Sequence, residues 1–128
     1  MNALEMADGT LDIVTGGYAL RNAPDLEHTL REIFRVLRPG GTAAFLEFSR
    51  ARHPLAGTVQ LGILRVWGRL WGLILHGDPE VYAYIARSLA GFPDRIELEE
   101  LFSRVGFREC PGRTLMMGFA RITVVTRP

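Results

Sequence analysis

The chain has little cysteine, little histidine and little net charge: one cysteine, three histidines and a formal charge of +1 in 128 residues. The single cysteine, Cys110, excludes an internal disulfide and a cysteine-cluster metal site. The histidines lie far apart without metal-ligand spacing, so we expect no metal ion. The arginines are scattered and form no long basic run, so we expect no nucleic-acid partner.

The composition also excludes a disordered chain. Hydrophobic residues make up 48% and charged residues 23% of the sequence, which is ordinary for a globular protein. A chain of this length suits one domain with a real core. It opens on a polar, acidic segment and not on a signal peptide, so we expect a cytoplasmic location.

An uninterrupted apolar run of spanning length is missing as well. The most apolar segment, Leu55–Leu75, nearly has the ~20 residues that a bilayer requires, but Gln60, Arg65 and Arg69 interrupt it. Burying such charges in lipid is costly. The segment predicts a helix with one apolar face at helical spacing: Val59, Ile63, Val66, Trp67, Leu70 and Ile74. Either this helix packs in the core, or its apolar face meets a ligand or a membrane surface.

The clearest pattern present is a strand followed by a helix. Asp12–Thr15 is short, apolar and β-branched, as in a buried parallel strand, and Gly16 and Gly17 end it. Apolar residues at helical spacing predict a helix over Leu26–Leu37. We expect Arg38–Gly41 to stop that helix with a glycine in the left-handed cap.

A second apolar run, Thr42–Phe48, predicts the next strand and completes a βαβ unit. Its right-handed crossover places the polar corner Arg21–Pro24 at the carboxyl ends of the strands. Open α/β sheets bind ligands at that edge.

Several motifs in this unit resemble the ubiquinone/menaquinone-biosynthesis C-methyltransferase family. They are DIVTGGYALRN at 12–22, RVLRPGG at 35–41 and FLEFS at 45–49. Further matches are Tyr82-x-Tyr84, Phe92-Pro93-Asp94 and the segment 98–107. The resemblance covers nearly the whole chain, but only the second half of such an enzyme.

The resemblance implies an α/β fold: the second half of a Rossmann-like methyltransferase sheet, mostly parallel with the last strand antiparallel, and an inserted helical lid. Residues 1–54 would carry the βαβ unit, 55–91 the lid, and 92–128 a helix with a closing β-hairpin. Within the lid, Pro79 is expected to start a helix through Leu89. The later helix should end at Gly106, followed by strands over 107–115 and 116–126.

The implied cofactor is S-adenosylmethionine (SAM). Asn2 and Ala3 would contact its adenine, unless they belong to a frayed terminus. Gly16 and Gly17 would offer their backbone to it, unless they merely make a tight turn. The glycine-rich turn and the acidic ribose ligand of a SAM site do not occur in this sequence.

The resemblance puts Arg21 and Asn22 near the quinone ring that accepts the methyl group. Methylation of a ring carbon needs an ionised phenol, which the Arg21 cation would stabilise, since arginine is a poor general base. The structural alternative is that Asn22 caps the following helix and Arg21 pairs with a nearby acid.

The expected acceptor-binding residues are Tyr18, Glu47, Trp67 and Tyr82. Glu47 would either hydrogen-bond the acceptor or hold a backbone amide, and the second role is favoured. Tyr82 and Tyr84 point to different faces of a helix, so one of them, Tyr82, would reach the ring while Tyr84 packs in the core.

The predicted function is SAM-dependent C-methylation of a polyprenylated quinol by a partial chain. The alternatives are methylation of another small apolar acceptor, or a non-catalytic interaction module lacking the cofactor half. The expected partners are an apolar quinol-type molecule, a membrane surface contacted peripherally, and a second copy or partner chain. That chain would cover the open edge beside Leu11–Thr15, where an apolar strand is left unpaired.

Overall fold

The computed structural model describes residues 4–49 and 53–128, and its strands form one mixed four-stranded sheet. The strands are β1 (Leu11–Gly17), β2 (Leu37–Phe48), β3 (Arg108–Leu115) and β4 (Ala120–Thr126), in the spatial order β1-β2-β4-β3. β1 and β2 are parallel, and β4 is antiparallel to both of its neighbours. The predicted insertion of the last strand in antiparallel orientation is therefore confirmed.

Four helices accompany the sheet: α1 (Leu26–Val36), α2 (Pro54–His76), α3 (Ala83–Ala90) and α4 (Arg95–Val105). α4 begins with a capping box, in which Asp94 and Glu97 accept each other's backbone N–H groups. It ends where predicted, at Gly106, whose φ of 111° is in the left-handed region that favours glycine.

The end of α1 differs from the expected glycine cap. The helix stops at Val36 and Leu37 is already extended, so that β2 begins several residues before the predicted Thr42. Pro39 disfavours a helical conformation at the residue before it. The guanidinium of Arg127 occupies the helix end and donates to three carbonyl oxygens, at 2.7–3.0 Å: those of Phe34, Arg35 and Leu37.

One face of the sheet is covered and the other is open. Side chains of α1 and α4 pack on the covered face in a single core, to which the helices contribute Leu30, Ile33 and Phe102 and the strands Ala43, Phe45 and Val125. On the opposite face of β1, Ile13 is 66% exposed. The strand predicted as a buried parallel strand is therefore buried on one face only.

Two further boundaries also differ from prediction. The turn after α2 holds Pro79, and α3 begins at Ala83, because the Asp78 carboxylate accepts the N–H of Glu80 and stabilises a turn there. The expected strand 116–126 is shorter, since Met116–Gly118 forms a 3-10 turn between β3 and β4.

α2 presents an apolar face to solvent. The six residues predicted to share that face are 42–68% exposed, so the interpretation of this face as core-packing was wrong. The helix buries a narrower face instead, which includes Gly57, Gln60 and Gly72 and contacts α3. Among the helices within the described ranges, none combines the length and the apolar content needed to cross a membrane.

Gly72 allows α2 to approach the turn that follows it. A Cβ at this position would lie 2.4 Å from the carbonyl oxygen of Asp78, whereas one at Gly62 would meet nothing within 4 Å. We expect Gly72→Ala to lower the free energy of unfolding by about 1–3 kcal/mol, as overpacking does. Gly62→Ala should raise it by up to about 1 kcal/mol, because alanine is the better helix former. Urea titrations followed by tryptophan fluorescence measure both, and equal effects would contradict the close approach.

Candidate functional site

The site lies at the carboxyl ends of β1 and β2. Gly16 packs against Phe45, where an added Cβ would be 3.1 Å from the ring, whereas Gly17 faces open space. Tyr18 then adopts a left-handed φ of 55°, and its N–H donates to the Leu46 carbonyl at 2.7 Å. This turn directs the chain out of the sheet and into the 3-10 turn Leu20–Asn22.

Arg21 lies among three aromatic rings. Its guanidinium carbon is 5.0 Å from the ring centre of Phe48, 5.5 Å from that of Tyr18 and 5.8 Å from that of Tyr84. Rings at these distances attract a cation through their negative faces. Nη1 also approaches the Ser88 hydroxyl at 3.5 Å. No ion pair among residues 4–49 and 53–128 involves Arg21, so the expectation that it pairs with an acid is not met there.

Glu47 holds the turn that carries Arg21. It is 5% exposed, and its Oε1 accepts the N–H of Leu20 at 2.6 Å. Burial raises the pKa of this carboxyl, although the Leu20 N–H, the charge of Arg21 and the Ala19 N–H act in the opposite direction. The geometry agrees with the favoured structural interpretation, in which Glu47 fixes a backbone amide.

Asn22 does not cap α1. Its side-chain amide donates to the carbonyl of Tyr18 at 3.0 Å and so closes the turn around Arg21. Asp25 is the cap, and its carboxylate accepts the N–H of His28 at 2.9 Å. The predicted capping role was wrong because the 3-10 turn and Pro24 move the N-cap position three residues along the chain, from Asn22 to Asp25.

The raised pKa of Glu47 makes a testable contribution to stability. A carboxyl with a higher pKa in the folded state binds its proton more tightly there, so stability falls as the pH rises above about 4.5 towards the folded-state pKa. We expect Glu47→Gln to remove this fall. Unfolding free energies at pH 5 and pH 7.5 should therefore diverge less in the variant than in the wild type. Glu100→Gln, on the exposed face of α4, controls for the loss of one carboxylate, and parallel pH profiles for Glu47→Gln and wild type would contradict the assignment.

Trp67 and Tyr82 lie in a different hollow from Arg21. They line an open apolar groove of about 290 Å³ between α2 and α3, with Leu64, Trp71, Leu75 and Ile85. The hydroxyl of Tyr82 forms a hydrogen bond with His76 Nε2, and the two atoms are 3.1 Å apart. None of the residues that surround Arg21 lines this groove. The structure therefore brings four predicted residues together (Tyr18, Arg21, Asn22 and Glu47) and separates Trp67 and Tyr82 from them.

Sequence reasoning missed three residues that contact Arg21. Tyr84 was expected in the core, but it is 45% exposed and faces the guanidinium. Ser88 lies four residues later on the same face of α3, a spacing that identifies it once Tyr84 is placed. Phe48 was part of the FLEFS motif, but its contact depends on the parallel pairing of β1 and β2.

The residues at the carboxyl end of β1 are compatible with one side of a SAM-binding site. Gly17 is exposed at the carboxyl end of β1 with room beside its backbone, as close approach of a cofactor requires. Asn2 and Ala3, the expected adenine contacts, lie outside the described residues. In the part of the chain that the structure describes, no group of three His, Cys, Asp or Glu residues could hold a metal ion.

Comparisons with known proteins agree with this architecture. A Thermotoga maritima structure described as a SAM-dependent methyltransferase, possible histamine N-methyltransferase, superposes on 98% of this chain and 59% of its own, with a TM-score of 0.65 at 18% identity. This likeness shows the fold: the α/β sheet of SAM-dependent methyltransferases, as predicted.

Sequence relatives narrow the fold to one family. The demethylmenaquinone methyltransferase of Symbiobacterium thermophilum is 36% identical over 136 residues, covering 98% of this chain and 53% of that protein. The ubiquinone/menaquinone biosynthesis C-methyltransferase UbiE of Rubrivivax gelatinosus is 36% identical over 124 residues, covering 97% and 49%. The chain thus spans about half the length of these curated relatives. The family profile described as "ubiE/COQ5 methyltransferase family" matches residues 1–127. The chain belongs to the ubiE/COQ5 methyltransferase family.

Proposed function

We propose that this chain supplies the acceptor side of a SAM-dependent C-methyltransferase whose substrate is a polyprenylated quinol of ubiquinone or menaquinone biosynthesis. The observation that carries the proposal is the Arg21 cation among three aromatic rings at the carboxyl ends of β1 and β2. The names of the relatives support the substrate class. The combination of a fixed cation with flat apolar surfaces suits an aromatic ring that carries an ionised hydroxyl.

The chemistry needs electron density on the ring carbon that is methylated. Arg21 stabilises the phenolate as a fixed cation, while a water or another group takes the phenol proton. Since the guanidinium already lies against Tyr18, Phe48 and Tyr84, it needs little reorganisation when the charge develops. Glu47 and Asn22 are positioning residues, because they hold the two ends of the turn that carries Arg21.

The cofactor, when bound, supplies an electrophilic methyl group on a sulfonium. Gly16, Gly17, Asn2 and Ala3 are the residues of this chain that we assign to it. The exposed backbone of Gly17 is the part of that assignment with a structural basis.

Direct titration tests whether this chain binds SAM unaided. Saturable binding by calorimetry, and transfer of a labelled methyl group to a short-chain naphthoquinol, would support the enzyme. Binding without transfer to any quinol would favour a different small apolar acceptor. No binding by this chain, alone or with a segment that supplies a glycine-rich cofactor turn, would favour a non-catalytic interaction module.

The two tyrosines of the Tyr82-x-Tyr84 motif should differ in their effect on the acceptor. Tyr84 contacts Arg21, whereas Tyr82 lines the α2–α3 groove. We expect Tyr84→Leu to raise the KM for the quinol several-fold, because one ring of the cation-binding set is worth about 0.5–1 kcal/mol. Tyr82→Leu should affect acceptors with a long prenyl tail more than tail-less analogues. Steady-state kinetics with both acceptor types measures this, and identical profiles for the two variants would contradict the separation of the two hollows.

Peripheral membrane contact is a further part of the proposed function. A polyprenylated quinol resides in the bilayer, and α2 exposes the apolar side chains that contact with a membrane surface requires. We assign this contact to α2, with the rest of the chain on the aqueous side.

A further inference from the structure

The exposed part of α2 has two adjoining faces of different chemistry. One is an apolar stripe, which consists of Leu55, Val59, Val66, Leu70 and Leu73 and whose members are 46–72% exposed. Since each residue turns the helix by about 100°, Arg65 and Arg69 lie together on the face beside this stripe. An apolar stripe flanked by arginines is the pattern of a helix that lies in a membrane interface.

A third arginine adds to this flank from α3. Arg65, Arg69, Arg87 and Glu80 line one open hollow of about 240 Å³. Glu80 is within 3.6 Å of Arg69 and 3.3 Å of Arg87, and the side chains of these three residues are 50–65% exposed. Three cations and one carboxylate leave the hollow with a net charge of about +2. The carboxylate holds Arg69 and Arg87 side by side, so their remaining N–H groups can be shared by one phosphate.

We propose that this arginine hollow binds the phosphate groups of anionic phospholipids while the apolar stripe of α2 enters the acyl region. The inference rests on the membrane contact in the proposed function and names the lipid class that the contact selects. Charge complementarity supports it: the hollow is cationic and open, and it borders the stripe on the same exposed side of α2. A cytoplasmic leaflet rich in anionic lipid attracts arginines near its surface, whereas a neutral one does not.

Vesicle recruitment tests the proposal with the whole chain. Sedimentation and the fluorescence emission of Trp67 and Trp71 measure how much of the chain binds to vesicles. The vesicles contain phosphatidylglycerol in one series and pure phosphatidylcholine in the other. Arg65→Gln with Arg69→Gln should lower partition onto the anionic vesicles by about 25-fold, or about fivefold for each arginine. Arg104→Gln with Arg108→Gln removes the same net charge elsewhere and should have little effect. Val66→Ser with Leu70→Ser should weaken recruitment to both vesicle types.

Each outcome bears on a different part of the inference. Equal recruitment to neutral and anionic vesicles, or equal losses in the two arginine pairs, would overturn the headgroup site and leave the membrane contact standing. No recruitment to any vesicle would overturn both the headgroup site and the membrane contact. If the chain instead self-associates, and Val66→Ser with Leu70→Ser abolishes that self-association, the stripe is assigned to a second copy. Saturable binding of inorganic phosphate at the same arginines, without vesicle recruitment, would assign the hollow to a soluble anion. None of these readouts depends on methyl transfer, so they are independent of the catalytic proposal.

Discussion

Replacement of Arg21 by glutamine is expected to slow methyl transfer about 10²–10³-fold, the loss that follows removal of one preorganised group from an oxyanion site. Glutamine cannot carry the charge that stabilises the phenolate, and it forms no cation–π contact with Tyr18, Phe48 and Tyr84. The measurement is single-turnover transfer of a labelled methyl group to a naphthoquinol. It is made with this chain reconstituted with a segment that supplies the glycine-rich cofactor turn.

Two further variants separate charge from shape. Arg21→Lys keeps the charge but loses the planar guanidinium, so it should be slower than wild type and faster than the glutamine variant. Arg104→Gln removes an exposed arginine of α4 and should leave turnover unchanged. SAM affinity should stay constant throughout, because Arg21 is assigned to the acceptor. Wild-type turnover in Arg21→Lys and Arg21→Gln would remove Arg21 from the acceptor site.

Local patterns predicted the fold where the determining residues are close in sequence. The β1–α1–β2 unit, the capping box of α4 and the left-handed Gly106 all depend on neighbours within a few positions. The end of α1 was predicted to within one residue, but its glycine cap was wrong. The carbonyl groups there accept instead from Arg127, which lies about ninety residues away and has no local signature. The start of α3 was missed because the Asp78 turn outcompetes the preference of Pro79 for a first helical turn.

The site was predictable to the extent that one loop carries it. Tyr18, Arg21 and Asn22 lie within five residues of one another, directly after β1. Glu47 lies at the end of β2, the neighbouring parallel strand, so the right-handed crossover brings the four residues to the same edge of the sheet. Tyr84 and Ser88 could not be assigned in the same way, because their contact with Arg21 depends on how α3 packs against that loop. Only the tertiary arrangement shows that Tyr82 faces α2 while Tyr84 faces the guanidinium.

The edge of β1 leads to the second large expected effect. Within the described residues β1 pairs with β2 alone, which leaves its other edge open, and Ile13 on the uncovered face of this edge strand is 66% exposed. Unpaired strand edges with apolar side chains readily pair with another chain. We therefore expect this chain to be a dimer in solution, by edge pairing or strand exchange at Leu11–Thr15, or to bind a partner chain there.

Ile13→Lys should convert such a dimer to a monomer, because a charged side chain at the edge blocks pairing. Met116→Lys changes an equally exposed residue on the turn between β3 and β4 and should leave the assembly intact. Sedimentation at micromolar concentration measures the change in mass, and amide exchange across Asp12–Thr15 locates the contact. In the dimer, the amides that point to β2 and those that point to the second copy should both exchange slowly. In Ile13→Lys, the amides on the edge away from β2 should exchange fast.

A stable wild-type monomer with unprotected amides at Asp12–Thr15 would exclude self-pairing at this edge and leave a partner chain as the alternative. The proposal fails if that monomer also binds no separately expressed segment carrying the first half of a family member.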